Sequence, residues 1–175
     1  MGVLVPSSVQ LRPDEVALGP QKGPQTAFLT SRASITIYGG AAGGGKSYGL
    51  LLDAAKYAAL RPIRGYNATI FRREVKQIMQ GGGLWDESMG LYMQMQGVPT
   101  RGLMRWEWPQ HRTRINFTHL YEEKDKFAYQ GAQIPYIAFD ELTHFSEDQF
   151  FYLVSRNRST TGVTPRVRAT TNPDS

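Results

Sequence analysis

The chain has 175 residues, no cysteine, 41% hydrophobic and 20% charged residues, and a formal net charge of +5. That length suits one domain with a real core, and the apolar fraction excludes wholesale disorder. The missing cysteines exclude a disulfide scaffold, a thiolate metal site and a thiol nucleophile.

No apolar run is long enough for a membrane-spanning helix, so no membrane association is expected. The N-terminus lacks a basic stretch followed by an apolar one, and Pro6 stands where a myristoylation signal needs Ser or Thr. Fourteen of the twenty basic residues are Arg. Arg pairs bidentately with phosphate, which suits a nucleotide or nucleic-acid partner. A GC-rich coding sequence gives the same excess, so charge alone does not decide.

Residues 1–33, rich in Pro, Gly, Ser and Gln, read as an arm over the domain. Residues 34–38 form a short β-branched run followed at once by glycines, and residues 46–60 follow with apolar side chains almost all round. That pattern predicts a strand, a tight loop and a helix buried on several sides. Arg61-Pro62 ends the helix. Residues 67–71 predict a second strand, completing the strand–helix–strand pattern of a parallel sheet. Residues 84–96 predict a helix, and residues 104–108 and 112–117 a hairpin around Pro109-Gln110. A third buried strand is expected over 134–139, a helix over 147–154 and a last strand over 166–171. No internal repeat is visible.

Gly40-Ala41-Ala42-Gly43-Gly44-Gly45-Lys46-Ser47 matches G-x-x-x-x-G-K-[ST] at every fixed position, with a strand before and a helix after. Glycines let successive N–H groups converge on a phosphate. Lys46 brings a cation to the β/γ oxygens at a helix N-terminus, and Ser47 offers its hydroxyl to Mg²⁺. A chance glycine-rich turn would not carry both flanks. Downstream, the apolar strand Tyr136-Ile137-Ala138-Phe139 runs into Asp140-Glu141. Asp140 is the candidate to order the metal and Glu141 the candidate base for the attacking water. A second carboxylate directly after the first marks catalytic-glutamate motor ATPases rather than small GTPases or nucleotide kinases.

With these motifs placed, YGGAAGGGKSYGLLL, YQGAQIPYIAFDEL, SRNRSTTG and PRVRATTNPD together resemble the ATPase domain of the large terminase subunits of tailed bacteriophages. The resemblance runs from about residue 24 to the end. It implies an α/β P-loop NTPase of the catalytic-glutamate (ASCE) class, with a mainly parallel central sheet flanked by helices and an inserted β-hairpin. Residues 1–33 would be the N-terminal arm with an adenine-recognition segment and residues 34–175 the ATPase core. Nothing in the chain resembles the family's C-terminal nuclease domain.

The resemblance further implies ATP and Mg²⁺ as cofactors and a DNA-packaging motor acting on double-stranded DNA. Its partners would be the portal protein and the small terminase subunit, its active form a homo-oligomeric ring, and its location the host bacterial cytoplasm. Gln25 occupies the family's adenine-recognising position, and Thr170, Thr171 and Asn172, before Pro173, its coupling motif. Two family positions for a catalytic arginine are filled otherwise, by Ala41-Ala42 in the loop and by Gln130 before Gly131. Arg156 and Arg158 are therefore the candidate arginine finger, in cis or from a neighbouring subunit.

Smaller signals stay open. Arg101, Arg105, Arg112 and Arg114, near Trp106, Trp108 and Phe117, form either a nucleic-acid surface or the solvated side of a packed hairpin. Arg72 and Arg73 reach either phosphate, DNA or Glu74. His111, His119 and His144 lack metal-ligand spacing, and Met89, Met93 and Met95 read as helix packing. The competing functional readings are a helicase or recombinase-like DNA-dependent ATPase, a small-molecule phosphotransferase, and a nucleotide-gated assembly module.

Overall fold

A computed structural model describes residues 19–40 and 45–172. Within them helix α1 (Pro24–Thr30) precedes strand β1 (Ile35–Gly39) and helix α2 (Lys46–Ala55), which continues as a wider turn over Lys56–Leu60. Strand β2 (Asn67–Arg72), helices α3 (Val75–Met79) and α4 (Leu84–Tyr92), and strands β3 (Val98–Thr100), β4 (Arg105–Trp108) and β5 (Thr113–His119) follow. The chain ends with β6 (Tyr136–Phe139), α5 (Glu147–Val154) and β7 (Arg166–Thr171).

All seven strands form one sheet in the order β1-β7-β6-β2-β5-β4-β3. β1, β7, β6, β2 and β5 are parallel, while β5, β4 and β3 pair antiparallel. The expected hairpin is continuous with this sheet, because β5 carries it onto the edge of β2. Three short elements lie beyond the periodic signal. α1 stands within the expected arm, where Gln25 and Phe28 are buried; α3 has five residues, and β3 has three including Pro99.

Strand residues alternate between two cores. One face carries Ala68, Ile70, Ile115, Tyr136 and Ala138 against α2 and α4, with Leu50, Leu51, Trp85 and Tyr92. The other carries Phe71, Ile137, Phe139, Val167 and Ala169 against Leu153 of α5. The hairpin aromatics turn inward. Trp106 stacks on Trp85 at 5.6 Å and donates through Nε1 to Ser88 Oγ at 2.9 Å. Trp108 Nε1 donates to the Met95 carbonyl at 2.7 Å. Trp106, Trp108 and Phe117 are buried, and Arg105 turns to Asn116 and Glu107. The interleaved basic–aromatic pattern is thus a packed hairpin.

A buried ion pair ties α2 to β7 on the α2 face of the sheet. Arg168 donates to Asp53 Oδ2 at 3.1 Å and to the carbonyls of Ala33, Ser31 and Val167. Tyr136 OH donates to the same carboxylate oxygen at 3.1 Å. Burial pushes the Asp53 carboxyl up from its ordinary range, and Arg168, Tyr136 and Lys56 pull against that rise. With the folded value raised, the cost of an ionised Asp53 is felt as pH rises through it and relieved below it. Removing Arg168 raises that value further. Arg168→Ala should therefore cost about 3–5 kcal/mol of unfolding free energy near pH 8 and distinctly less near pH 5, read by urea titration at both.

Candidate active site

The C-terminal ends of β1, β7, β6 and β2 lie side by side, and there the expected polar residues converge. β1 ends at Gly39 and the chain enters the phosphate loop; Ala41, Ala42, Gly43 and Gly44 lie outside the described residues. On the near side of the loop the Lys46 ammonium donates to the Gly40 carbonyl at 2.6 Å. On the far side Gly45 caps α2 in the left-handed region, φ 63°, a conformation glycine adopts without strain. The first N–H groups of α2 thus open toward the loop with the positive end of the helix dipole.

Gln25 braces this corner from α1. Its side-chain amide donates to the Gly45 carbonyl at 2.8 Å and accepts from the Gln21 N–H at 2.6 Å. Only one orientation of the amide satisfies both bonds. Gly49 lets the helices close, since a Cβ there would meet Gln25 Cγ at 3.1 Å. The expected adenine-recognition residue is thereby buried and bonded to backbone, with exposed Gln21 next to it.

Asp140 sits where β6 ends and is fully buried. Alternation along β2, β6 and β7 turns Arg72, Asp140 and Thr170 to the α2 face, the side on which Ser47 lies. Thr170 Oγ1 donates to Asp140 Oδ1 at 2.6 Å, and Arg72 Nε donates to Oδ2 at 2.6 Å. Ser47 Oγ is 3.3 and 3.4 Å from the two oxygens. Glu141 follows in the left-handed region, φ 62°, an uncommon conformation for a side chain of this type. Its N–H donates to Thr170 Oγ1 at 3.0 Å, and its Oε2 is buried with no hydrogen-bond partner among the described residues.

Thr170 therefore ties the Asp140 carboxylate and the Glu141 backbone N–H to β7, and β7 pairs with the strand that leads into the loop, Thr170 with Tyr38 and Thr171 with Gly39. Asn172 follows directly; Pro173 lies outside the described residues. Ser47 and Asp140 offer a hydroxyl and a carboxylate within one ion's reach. Those are hard oxygen donors of the kind Mg²⁺ takes when phosphates and water complete its shell.

Arg72 was open in the sequence and joins the cluster. Arg73 instead ties β2 to the Leu120 carbonyl and Gln149, and neither side chain is paired with Glu74 among the described hydrogen bonds and ion pairs. Arg156 and Arg158 do not join it. The Arg156 carbonyl accepts from Ile134 N–H, and Asn157 bonds the carbonyls of Ile134, Pro135 and Arg166, so this loop sits at the N-terminal ends of β6 and β7. At about 3.3 Å per residue, Ile134 and Asp140 stand roughly 20 Å apart, beyond side-chain reach within one chain. Arg156 instead stacks on Tyr152 at 4.8 Å. At that same end of the strands a cavity of about 730 Å³ opens, walled by Asp53, Lys56, Tyr136, Arg166 and Arg168 and by none of the cluster residues.

A sequence model of the terminase large subunit, T4likevirus-type, N-terminal, matches residues 37–175. No curated protein matches the chain by sequence. Among solved structures, the large terminase of a thermophilic bacteriophage superposes with TM-score 0.70 at 14% identity over 89% of this chain. The large terminase ATPase domain of Thermus phage P74-26 superposes with TM-score 0.61 at 14% identity over 86% of it. The first of these proteins, in complex with ADP, superposes with TM-score 0.63 at 12% identity over 85%. This chain spans 39% of the first structure and 64% of the second. The mainly parallel sheet with flanking helices is the fold they share.

Thr170→Val keeps the shape but strips a donor from Asp140 and an acceptor from the Glu141 N–H. It should cost about 2–3 kcal/mol in denaturant unfolding. Thr171→Val, at a half-exposed position, should stay within about 0.5 kcal/mol of the parent.

Proposed function

The chain belongs to the terminase large-subunit family, N-terminal T4likevirus type, and we propose that it is a Mg²⁺-dependent ATPase driving double-stranded viral DNA into a procapsid. The observation that carries the proposal is Glu141. A carboxylate oxygen buried without a donor, on a strained residue beside a buried Asp, is what a water-activating base requires.

In this reading the loop from Gly40 to Ser47 and the α2 N-terminus hold the phosphates, with Lys46 beside the β/γ oxygens. Ser47 and Asp140 hold Mg²⁺, which when bound neutralises charge developing on the phosphates. Glu141 takes the proton of the attacking water. Gln25, against the start of α2, would recognise the adenine, its amide oxygen giving up the Gln21 N–H to do so. Thr170, Thr171 and Asn172 read the γ-phosphate, and Thr170 is suited to this because one hydroxyl bonds both the Asp140 carboxylate and the Glu141 backbone N–H.

Arg156 and Arg158, at the opposite end of the sheet, serve as finger only toward a neighbour's site. In this reading the active form is a homo-oligomeric ring. Double-stranded DNA, the portal protein and the small terminase subunit are its partners, and the host bacterial cytoplasm is where it works. These assignments rest on family membership together with the placement of the two arginines.

Glu141→Gln should bind ATP as the parent does while turnover falls about 10²–10⁴-fold, and Lys46→Ala should weaken both. Phosphate release and nucleotide titration on the same preparations separate the two effects. A Glu141→Gln protein hydrolysing at the parent rate would remove Glu141 as the base.

A further inference from the structure

We propose that Arg72 is the resident cation of Asp140, exchanged for Mg²⁺ when nucleotide enters. The inference rests on the nucleotide-site reading above and adds to it a residue that the phosphate-loop and acidic motifs do not contain.

Both oxygens of the carboxylate are engaged. Oδ1 accepts from Thr170 Oγ1 at 2.6 Å and Oδ2 from Arg72 Nε at 2.6 Å, while Ser47 Oγ stands farther off at 3.3 and 3.4 Å. Thr170 is neutral, so among the described residues Arg72 alone forms an ion pair with this fully buried charge. A buried carboxylate without a cation is costly, which gives Arg72 a reason to be there whatever else the site does. A guanidinium on Oδ2 and a divalent ion ordered by the same carboxylate compete for one oxygen and repel each other. The two cations therefore occupy the site in turn.

The surroundings suit a side chain that leaves and returns. Arg72 closes β2, and its side chain keeps 17% of its surface exposed. On β5 its register partner is His119, whose buried Nδ1 has no hydrogen-bond partner among the described residues. Glu87, in the first turn of α4, lies in the field of both charges: desolvation and Asp140 raise its carboxyl, and Arg72 opposes the rise. A released guanidinium thus has an unpartnered imidazole nitrogen on the neighbouring strand and a carboxylate in its field. Its neighbour Arg73 is held by Leu120 and Gln149, so the exchange needs the Arg72 side chain alone to move. The exchange makes metal arrival felt at the end of β2 and, through Glu87, at α4.

The test is the Mn²⁺ affinity of the ADP-bound chain, with Mn²⁺ as the probe ion, followed by electron paramagnetic resonance in the parent, Arg72→Gln and Arg72→Lys. Competition predicts that Arg72→Gln reaches half-saturation at about tenfold lower Mn²⁺, with Arg72→Lys in between because its ammonium holds the carboxylate less well. A residue that merely props Asp140 would give the opposite sign, since its loss would weaken the metal. Unchanged or weaker Mn²⁺ binding in both variants, with normal binding in the parent, overturns the exchange and leaves the nucleotide site standing. A parent that binds no Mn²⁺ with ADP overturns the site and the exchange together. Arg72→Lys keeps a cation at the carboxylate, so the comparison survives if Arg72→Gln does not fold.

Discussion

A single buried carboxylate organises this molecule. Asp140 has no access to water, and its charge is met from three different elements: Arg72 at the end of β2, Thr170 on β7 and Ser47 on α2. In a low-dielectric interior such a group is stable only if every partner is in place. The sheet order supplies them. β7 lies between β1 and β6, and β2 flanks β6 on the other side, so the C-terminal ends of four parallel strands meet around one side chain.

The same order explains how β1, which leads into the phosphate loop, and β6, which leads into the acidic pair, are linked without pairing with each other. β7 pairs with β1 on one edge and with β6 on the other. Thr170 and Thr171 are therefore a physical bridge, reaching the Asp140 carboxylate and the Glu141 N–H through the Thr170 hydroxyl and the loop strand through the ladder. The other end of the sheet is arranged for stability. There Arg168 and Asp53 tie β7 to α2, and Asn157 knits the loop after α5 to the starts of β6 and β7.

What was legible in the sequence was what local chemistry determines. The loop from Gly40 to Ser47, the strand running into Asp140-Glu141, the helix Glu147–Val154 and the strand Arg166–Thr171 all carry their signal within a few residues. The helix begins with Ser146 and Gln149 in a reciprocal cap, and the last strand alternates Val167 and Ala169 toward one face. Elements made by packing were not legible. α1 is a seven-residue helix in Pro- and Gly-rich sequence, and it exists because Gln25 and Phe28 bury against α2 and β1. β3 is three residues whose partner strand defines it. Arg72 could not be told from Arg73 by sequence, because register and face decide which guanidinium meets Asp140. Nor does spacing reveal that the chain returns down α5 before Arg156, which carries that loop to the wrong end of the sheet for its own site.

The central claim is that Asp140, Glu141 and Thr170 form one unit that registers the γ-phosphate. Hydrogen exchange of the backbone amides tests it most directly, because the Glu141 N–H donates to Thr170 and the Asp140 N–H to the Phe71 carbonyl. The account predicts that Mg²⁺ with a non-hydrolysable ATP analogue changes protection at residues 140–141 and 170–172 together, relative to Mg²⁺ with ADP. Identical protection in the two nucleotide states, or a change at one segment without the other, would contradict it.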